Sequence, residues 1–142
     1  MKKLVLAAAA AAATLSFTTT AWAQEEEEPR TTWRIMTVDL KPGMGQQYEK
    51  VIMDTILPAY EAAGLEKPQV HWTMANDDWD YVFIDKMPGG MATFDSHNPP
   101  SRVAMFEALK TKLGSEEAVR EMWQELDGME EKTQVLFTHT HP

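Results

Sequence analysis

The sequence predicts an α+β fold, a ferredoxin-like βαββαβ sandwich with a four-stranded antiparallel sheet and helices on one face. Stretches rich in β-branched and aromatic residues, typical of strands, occur at 32–40, 68–74, 79–86 and 133–139. Stretches with apolar residues three or four positions apart, typical of helices, follow the first and the third strand. Right-handed crossovers in this element order place the first and third strands side by side in the middle.

The first strand and the helix after it have clear boundaries. Lys41-Pro42-Gly43 ends the strand, because proline cannot donate to a sheet and glycine permits a sharp reversal. The helical pattern then runs to Gly64, a good C-terminal cap. Pro58 lies inside it and predicts a kink near Thr55, since proline removes one helical hydrogen bond.

The second half of the chain repeats this plan. Asn98 is predicted to cap a helix whose first position is Pro99, where the missing N–H is not needed. Gly114 ends that helix, and Ser115 caps the next one, which runs to Gly128.

The N-terminal residues have the pattern of an export signal. Lys2 and Lys3 precede an apolar stretch at 4–17, and Ala21-Trp22-Ala23 is a cleavage pattern. The stretch is too short to span a membrane comfortably, so we expect cleavage and a periplasmic or secreted protein. The predicted segments are a signal peptide at 1–23, a disordered acidic tether at 24–30 and a single domain at 31–142.

The charge and the lack of cysteine exclude several functional classes. The formal net charge is −9, and loss of Lys2 and Lys3 makes the mature chain more acidic still. Such a chain repels nucleic acids and anionic membrane surfaces, so neither is an expected partner. With no cysteine, the chain has no disulfide, thiolate nucleophile or Cys-ligated metal. An exported protein of this kind depends on burial in its own core or against a partner.

Both faces of the predicted sheet are apolar. In the third strand Val82 and Ile84 point one way, while Tyr81 and Phe83 point the other. Helices cover only one face, and large exposed apolar patches are rare in monomers. We therefore expect a homodimer joined through the open face, which we predict to bear Trp33, Tyr81 and Phe83. The alternative is that these aromatics are ordinary surface residues.

The first strand and helix also resemble a known group of proteins. Thr37 to Gly43 followed by Met44 to Lys50 resembles the strand–Lys-Pro-Gly–helix opening of dimeric α+β barrel proteins. That superfamily includes antibiotic-biosynthesis-monooxygenase-like and NIPSNAP-type domains, and Leu57-Pro58 with Gly64 is similar to the NIPSNAP type. The resemblance implies paired sheets around a cavity. Some members oxidise polyketide-like aromatics without a cofactor, and some bind or degrade haem.

The candidate site follows from the expected orientation of the strands. With Val82 and Ile84 facing the helices, Asp85 points into the dimer cavity, and either it or His71 can act as a general base. The sequence leaves open which of His71 and Trp72 points inward. The predicted cavity lining is Trp33, Ile35, Thr37, Trp72, Tyr81 and Phe83. The alternative is that these residues only pack the dimer core.

Two functions fit such a cavity. The first is a cofactor-independent monooxygenase or isomerase that acts on a small apolar or aromatic compound. The second is a non-catalytic binding protein for an apolar ligand or haem. No cofactor is predicted from the residues themselves, because Gly89-Gly90 after Pro88 lacks the spacing of a nucleotide-binding loop. No metal site is predicted either. His139 and His141 form only a weak candidate pair beside the C-terminus, without identifiable further ligands.

Overall fold

A computed structural model describes residues 30–75 and 78–141 of the chain. The predicted signal peptide at 1–23 and, apart from Arg30, the predicted acidic tether at 24–30 lie outside the described residues. Within the two described ranges, no helix is both long and apolar enough to cross a membrane.

The sheet has four antiparallel strands in the order β2-β3-β1-β4. The strands are β1 (Thr32–Leu40), β2 (Gln69–Trp72), β3 (Tyr81–Met87) and β4 (Glu130–His139). The first and third strands lie in the middle, as expected, and the ferredoxin-like α+β fold is confirmed.

The helices pack on one face of the sheet and leave the other face open. The elements between β1 and β2 are α1 (Gly45–Val51), a π-helical turn (Ile52–Ile56) and α2 (Leu57–Ala62). The elements between β3 and β4 are a 3-10 helix (Gly90–Asp95), α3 (Pro100–Leu113) and α4 (Glu116–Met129).

The π-helical turn accommodates Pro58 in the helix. The backbone N–H of Leu57 donates to the carbonyl of Ile52, five residues earlier. This wider turn suits a proline, which has no N–H and would press its ring against the carbonyl four residues back. The irregularity expected near Thr55 is therefore a π-helical turn.

Two of the predicted helix ends agree with the structure, and one does not. Gly114 has a φ of +92°, the left-handed conformation that ends α3, and the hydroxyl of Ser115 accepts a hydrogen bond from the N–H of Ala118 at 3.0 Å. The predicted cap at Asn98 is wrong, because α3 begins at Pro100 and no side chain caps it.

The register between β1 and β3 corrects the predicted orientation of β3. Val38, which is fully buried beneath the helices, pairs directly with Tyr81. Residues paired across antiparallel strands share a face, and side chains alternate along each strand. Tyr81, Phe83 and Asp85 therefore lie on the helix side, where they are 5%, 4% and 8% exposed. Their predicted placement on the open face is wrong.

An aromatic cluster explains this orientation. Tyr48 of α1 lies with its ring 5.3 Å from that of Tyr81 and 6.4 Å from that of Phe83. Its hydroxyl donates to Oε1 of Glu130 at 3.1 Å, so the buried ring keeps a hydrogen-bonding partner. Large rings remove more apolar surface from water than Val82 or Ile84 would in the same place. Both faces of β3 are apolar, so alternation alone could not decide between them.

The alternate side chains of β1 and β3 lie on the open face of the sheet. Ile35 pairs with Ile84 and with Leu136, so an apolar patch crosses three strands on this face. Thr37, which pairs with Val82, lies beside it. Trp33 lies on the same face. The predicted placement of Trp33, Ile35 and Thr37 opposite the helices is therefore confirmed.

Because Tyr48 is buried, the free energy of unfolding is expected to fall at alkaline pH. Burial and the neighbouring Glu130 raise the pKa of Tyr48 above its ordinary value of 10.0. The unfolded chain thus releases this proton at a lower pH than the folded chain, and the free energy of unfolding falls as pH rises above about 10. This one group accounts for a loss of about 1 kcal/mol by pH 11.

Urea unfolding at pH 8 and pH 11 measures this loss. Tyr48→Phe is expected to be less stable at pH 8 by about 1.5–3 kcal/mol, the usual value of a hydrogen bond to a charged group. Its further loss between pH 8 and pH 11 should be smaller than that of the unchanged protein. Equal losses in both proteins would contradict the assignment.

Candidate functional site

A cavity of about 530 Å³ lies on the helix side of the sheet. It is bounded by β1 and β3 below, by the end of α2, and by the 3-10 helix, α3 and α4 above. Most of its wall is apolar, formed by Met87, Phe94, Met105, Phe106, Leu109 and Trp123. The cavity predicted from sequence was on the opposite, open face.

The polar part of the cavity is a network of three side chains. Arg34 of β1 and Asp85 of β3 pair directly across the sheet. Nε and Nη2 of Arg34 donate to Oδ2 of Asp85 at 3.0 and 2.8 Å. The hydroxyl of Tyr60, from α2, lies 3.4 Å from Oδ1 of the same carboxylate. The second carboxylate oxygen therefore has only one long contact within the network.

The electrostatics of the network fix its protonation. Burial and the charge of Asp85 raise the pKa of Tyr60, so its hydroxyl stays neutral and can donate a hydrogen bond. For Arg34, burial acts to lower the pKa, but the charge and hydrogen bonds of Asp85 outweigh it and the pKa is raised. The site therefore presents a permanent cation, a carboxylate and a neutral hydroxyl to whatever enters.

Sequence reasoning missed Arg34 and Tyr60, although a signal for Arg34 exists. Arg34 lies on the strand face that carries Met36, Val38 and Leu40 beneath the helices. A charged residue on such a stripe needs a partner, because burial of an unpaired charge is costly. Asp85 is an acidic residue on the neighbouring strand that can meet this need.

The two predicted catalytic residues lie on opposite faces of the sheet. Asp85 lines the helix-side cavity, whereas His71 pairs with Val82 and is exposed on the open face. The two side chains therefore do not form one site. Trp72 lies on the helix side, 48% exposed, with its ring 6.1 Å from that of Tyr81. Neither His71 nor Trp72 is among the residues that line the cavity.

Two polar atoms on the open face are buried without a partner. Among the described residues, Nε1 of Trp33 and Oγ1 of Thr37 are the side-chain atoms that are out of contact with solvent and make no hydrogen bond. Buried polar groups are normally hydrogen-bonded, and leaving one unpaired costs about 1–3 kcal/mol.

The weak histidine pair comes together at the end of β4. The Nε2 atoms of His139 and His141 are 3.2 Å apart. Within residues 30–75 and 78–141, no group of three or more His, Asp or Glu side chains is placed to hold a metal ion. The pair stays a weak candidate.

Comparison with solved structures identifies the fold. A NIPSNAP family protein from Agrobacterium tumefaciens superposes with a TM-score of 0.52 and 15% sequence identity, over 78% of this chain and 88% of that protein. A second one from the same organism gives a TM-score of 0.51 and 12% identity, over 76% and 90% of the two chains. The chain has the NIPSNAP fold. The predicted resemblance to NIPSNAP-type proteins is thereby confirmed for the fold.

The similarity to these two structures shows the fold alone. The first of the two neighbours is described as a protein of unknown function. No family sequence model matches the chain, and no curated protein sequence is significantly similar to it.

Proposed function

We propose that the protein binds a small, largely apolar molecule in the helix-side cavity, with the polar group of that molecule at Arg34, Asp85 and Tyr60. The observation that carries this proposal is the placement of that network in an otherwise apolar cavity. Small-molecule sites are typically apolar clefts of about 300–1,000 Å³ with a few fixed polar groups, and this cavity fits the description.

The ligand's polar group has defined partners in this proposal. Oδ1 of Asp85 can accept a hydrogen bond from a ligand hydroxyl, since Tyr60 contacts it only at 3.4 Å. Nη1 of Arg34 lies outside the ion pair, which uses Nε and Nη2, and it can donate to a carbonyl or an oxyanion. Because Arg34 and Asp85 hold each other in place, little side-chain entropy is lost when the ligand binds.

The proposal also includes export. The basic start, apolar stretch and Ala-x-Ala pattern at 1–23 support a cleaved signal peptide and a role in the periplasm or outside the cell.

A fluorescent probe tests the cavity. N-phenyl-1-naphthylamine is neutral and apolar, and its emission rises when it leaves water. We expect it to bind, and Ser101→Trp, which places an indole at the wall of the cavity, to weaken binding at least about tenfold. Val103→Trp is the matched control, because Val103 is exposed on the same helix and does not line the cavity. Equal binding by the two variants would refute the proposed site.

Catalysis is a second candidate function, favoured by the carboxylate of Asp85 facing an apolar cavity. Isomerisation and cofactor-independent oxidation both begin with removal of a proton from the substrate. A carboxylate held in place by Arg34 can take that proton if the substrate lies within hydrogen-bond distance. His71 has no part in this scheme, since it lies on the other face.

Exchange of the acidic C–H protons of 2-tetralone in D₂O, followed by NMR, measures such proton removal. We expect the protein to accelerate exchange and Asp85→Asn to reduce that acceleration by about 10²–10⁴-fold, the usual contribution of a general base. Glu61→Gln, an exposed carboxylate outside the cavity lining, should leave it unchanged. No acceleration by the unchanged protein would leave binding as the function.

We also propose that the protein is a homodimer joined through the open face. Apolar side chains from β1, β3 and β4 meet there, and the unpartnered atoms of Trp33 and Thr37 lie on the same face. A second copy would remove this apolar surface from water. Tyr81 and Phe83, which the sequence assigned to this interface, belong to the core of one subunit instead.

A pair of neighbouring substitutions on β4 tests the dimer. Leu136 lies on the open face and Val135 on the helix side, with similar exposures of 53% and 46%. Leu136→Lys should dissociate the dimer in sedimentation velocity at micromolar concentration, because it buries an unpaired charge. Val135→Lys should leave it intact. A monomeric unchanged protein, or equal effects of the two substitutions, would contradict this interface.

A further inference from the structure

The cavity of this acidic chain is lined by charged groups of both signs. The whole chain has a formal net charge of −9. The lining includes two arginines, Arg34 and Arg102, and two carboxylates, Glu66 and Asp85. Lys86 also borders the cavity, but it pairs with Trp33 and its side chain lies on the open face. A cation that no carboxylate neutralises attracts an anion locally, while an acidic surface repels one.

The pairing of these charges shows which cation is available to a ligand. The carboxylate of Asp85 is occupied by Arg34, with two hydrogen bonds to one oxygen. Arg102 has no such partner. Nη1 of Arg102 donates to the backbone carbonyl of His97 at 3.1 Å, and no carboxylate among the described residues forms an ion pair with Arg102. The hydrogen bond to a neutral carbonyl positions the guanidinium without neutralising it.

The location of Arg102 connects this charge to the apolar wall. Arg102 lies in the first turn of α3, and Met105 and Phe106 line the cavity one turn further along the same helix. Trp123 of α4 adds an aromatic surface to the same wall. A molecule with an anionic group at one end and a ring system behind it can therefore contact the guanidinium and the apolar wall together.

We propose that the ligand of this cavity is an apolar anion, an aromatic or aliphatic molecule with one carboxylate, sulfonate or ionised enol group bound by Arg102. This inference rests on the proposed small-molecule function and specifies its ligand class. Guanidinium groups suit this role, since they present several donors in one plane and stay charged at every physiological pH. Arg34 lines the same cavity, and its Nη1, which lies outside the ion pair with Asp85, can donate to another polar atom of the ligand.

Two dyes with the same ring system separate charge from apolar contact. N-phenyl-1-naphthylamine is neutral, and 8-anilino-1-naphthalenesulfonate is the same molecule with an added sulfonate. We expect the sulfonate to bind at least about tenfold more tightly, which corresponds to one charge-assisted interaction. Raising the salt concentration should weaken binding of the sulfonate alone.

Substitution of Arg102 identifies the group responsible. Arg102→Gln is expected to weaken binding of the sulfonate dye about tenfold and to leave binding of the neutral dye unchanged. Lys112→Gln is the matched control, because it removes one positive charge from an exposed position on α3 outside the lining of this cavity. It should change the affinity for neither dye. Competition by 1-naphthoate but not by 1-naphthamide would extend the result to a carboxylate.

The outcomes distinguish this inference from the proposed function. If the neutral dye binds as tightly as the sulfonate and Arg102→Gln changes neither, the ligand class is wrong while the cavity remains a binding site. If Ser101→Trp changes the binding of neither dye, the cavity is not a binding site and both proposals fail. A sulfonate preference that is lost in Arg102→Gln, kept in Lys112→Gln and abolished by Ser101→Trp supports both.

Discussion

The pairing of β1 with β3 is the constraint on which the rest of this structure depends. Because side chains alternate along a strand, one pair in register fixes the face of every other residue on both strands. Val38 opposite Tyr81 places the aromatic side chains of β3 beneath the helices. The same register brings Arg34 opposite Asp85, and so creates the charged part of the cavity. A shift of β3 by one residue would send Asp85 to the open face and leave Arg34 without its partner.

The two faces of the sheet meet different physical requirements. On the helix side, Tyr48, Tyr81 and Phe83 form a tightly packed aromatic cluster, and this packing accounts for much of the apolar burial by the central strands. Further along the sheet, beyond this cluster, the helices leave the space that becomes the cavity. Among residues 30–75 and 78–141, no helix covers the open face, although several of its side chains, such as Ile35, Ile84 and Leu136, are apolar. The helix side therefore contains the candidate binding cavity, and the open face is a surface suited to association with a second copy.

The ion pair between Arg34 and Asp85 is better explained by the site than by stability. Partly buried pairs lose much of their Coulomb energy to desolvation, so an apolar pair of similar size would stabilise the fold about as well. What a charged pair adds is a fixed direction for donors and acceptors in an apolar wall. The guanidinium of Arg102 donates a hydrogen bond to a backbone carbonyl, which positions the group but does not neutralise its charge. Together these groups favour a ligand that is apolar over most of its surface and anionic at one end.

The sequence by itself determined the order of the elements, the helix-ending role of Gly114, the capping role of Ser115 and the location of the irregularity before Pro58. These features depend on local backbone preferences, which a short window of sequence contains. It did not determine which face of β3 is buried, because Tyr81 and Phe83 on one side and Val82 and Ile84 on the other are all apolar. Only the tertiary structure decided that, through the strand register and the packing of Tyr48. The candidate site depends on the same strand register and packing. Its charged and aromatic residues come from distant segments that only the packed fold brings together.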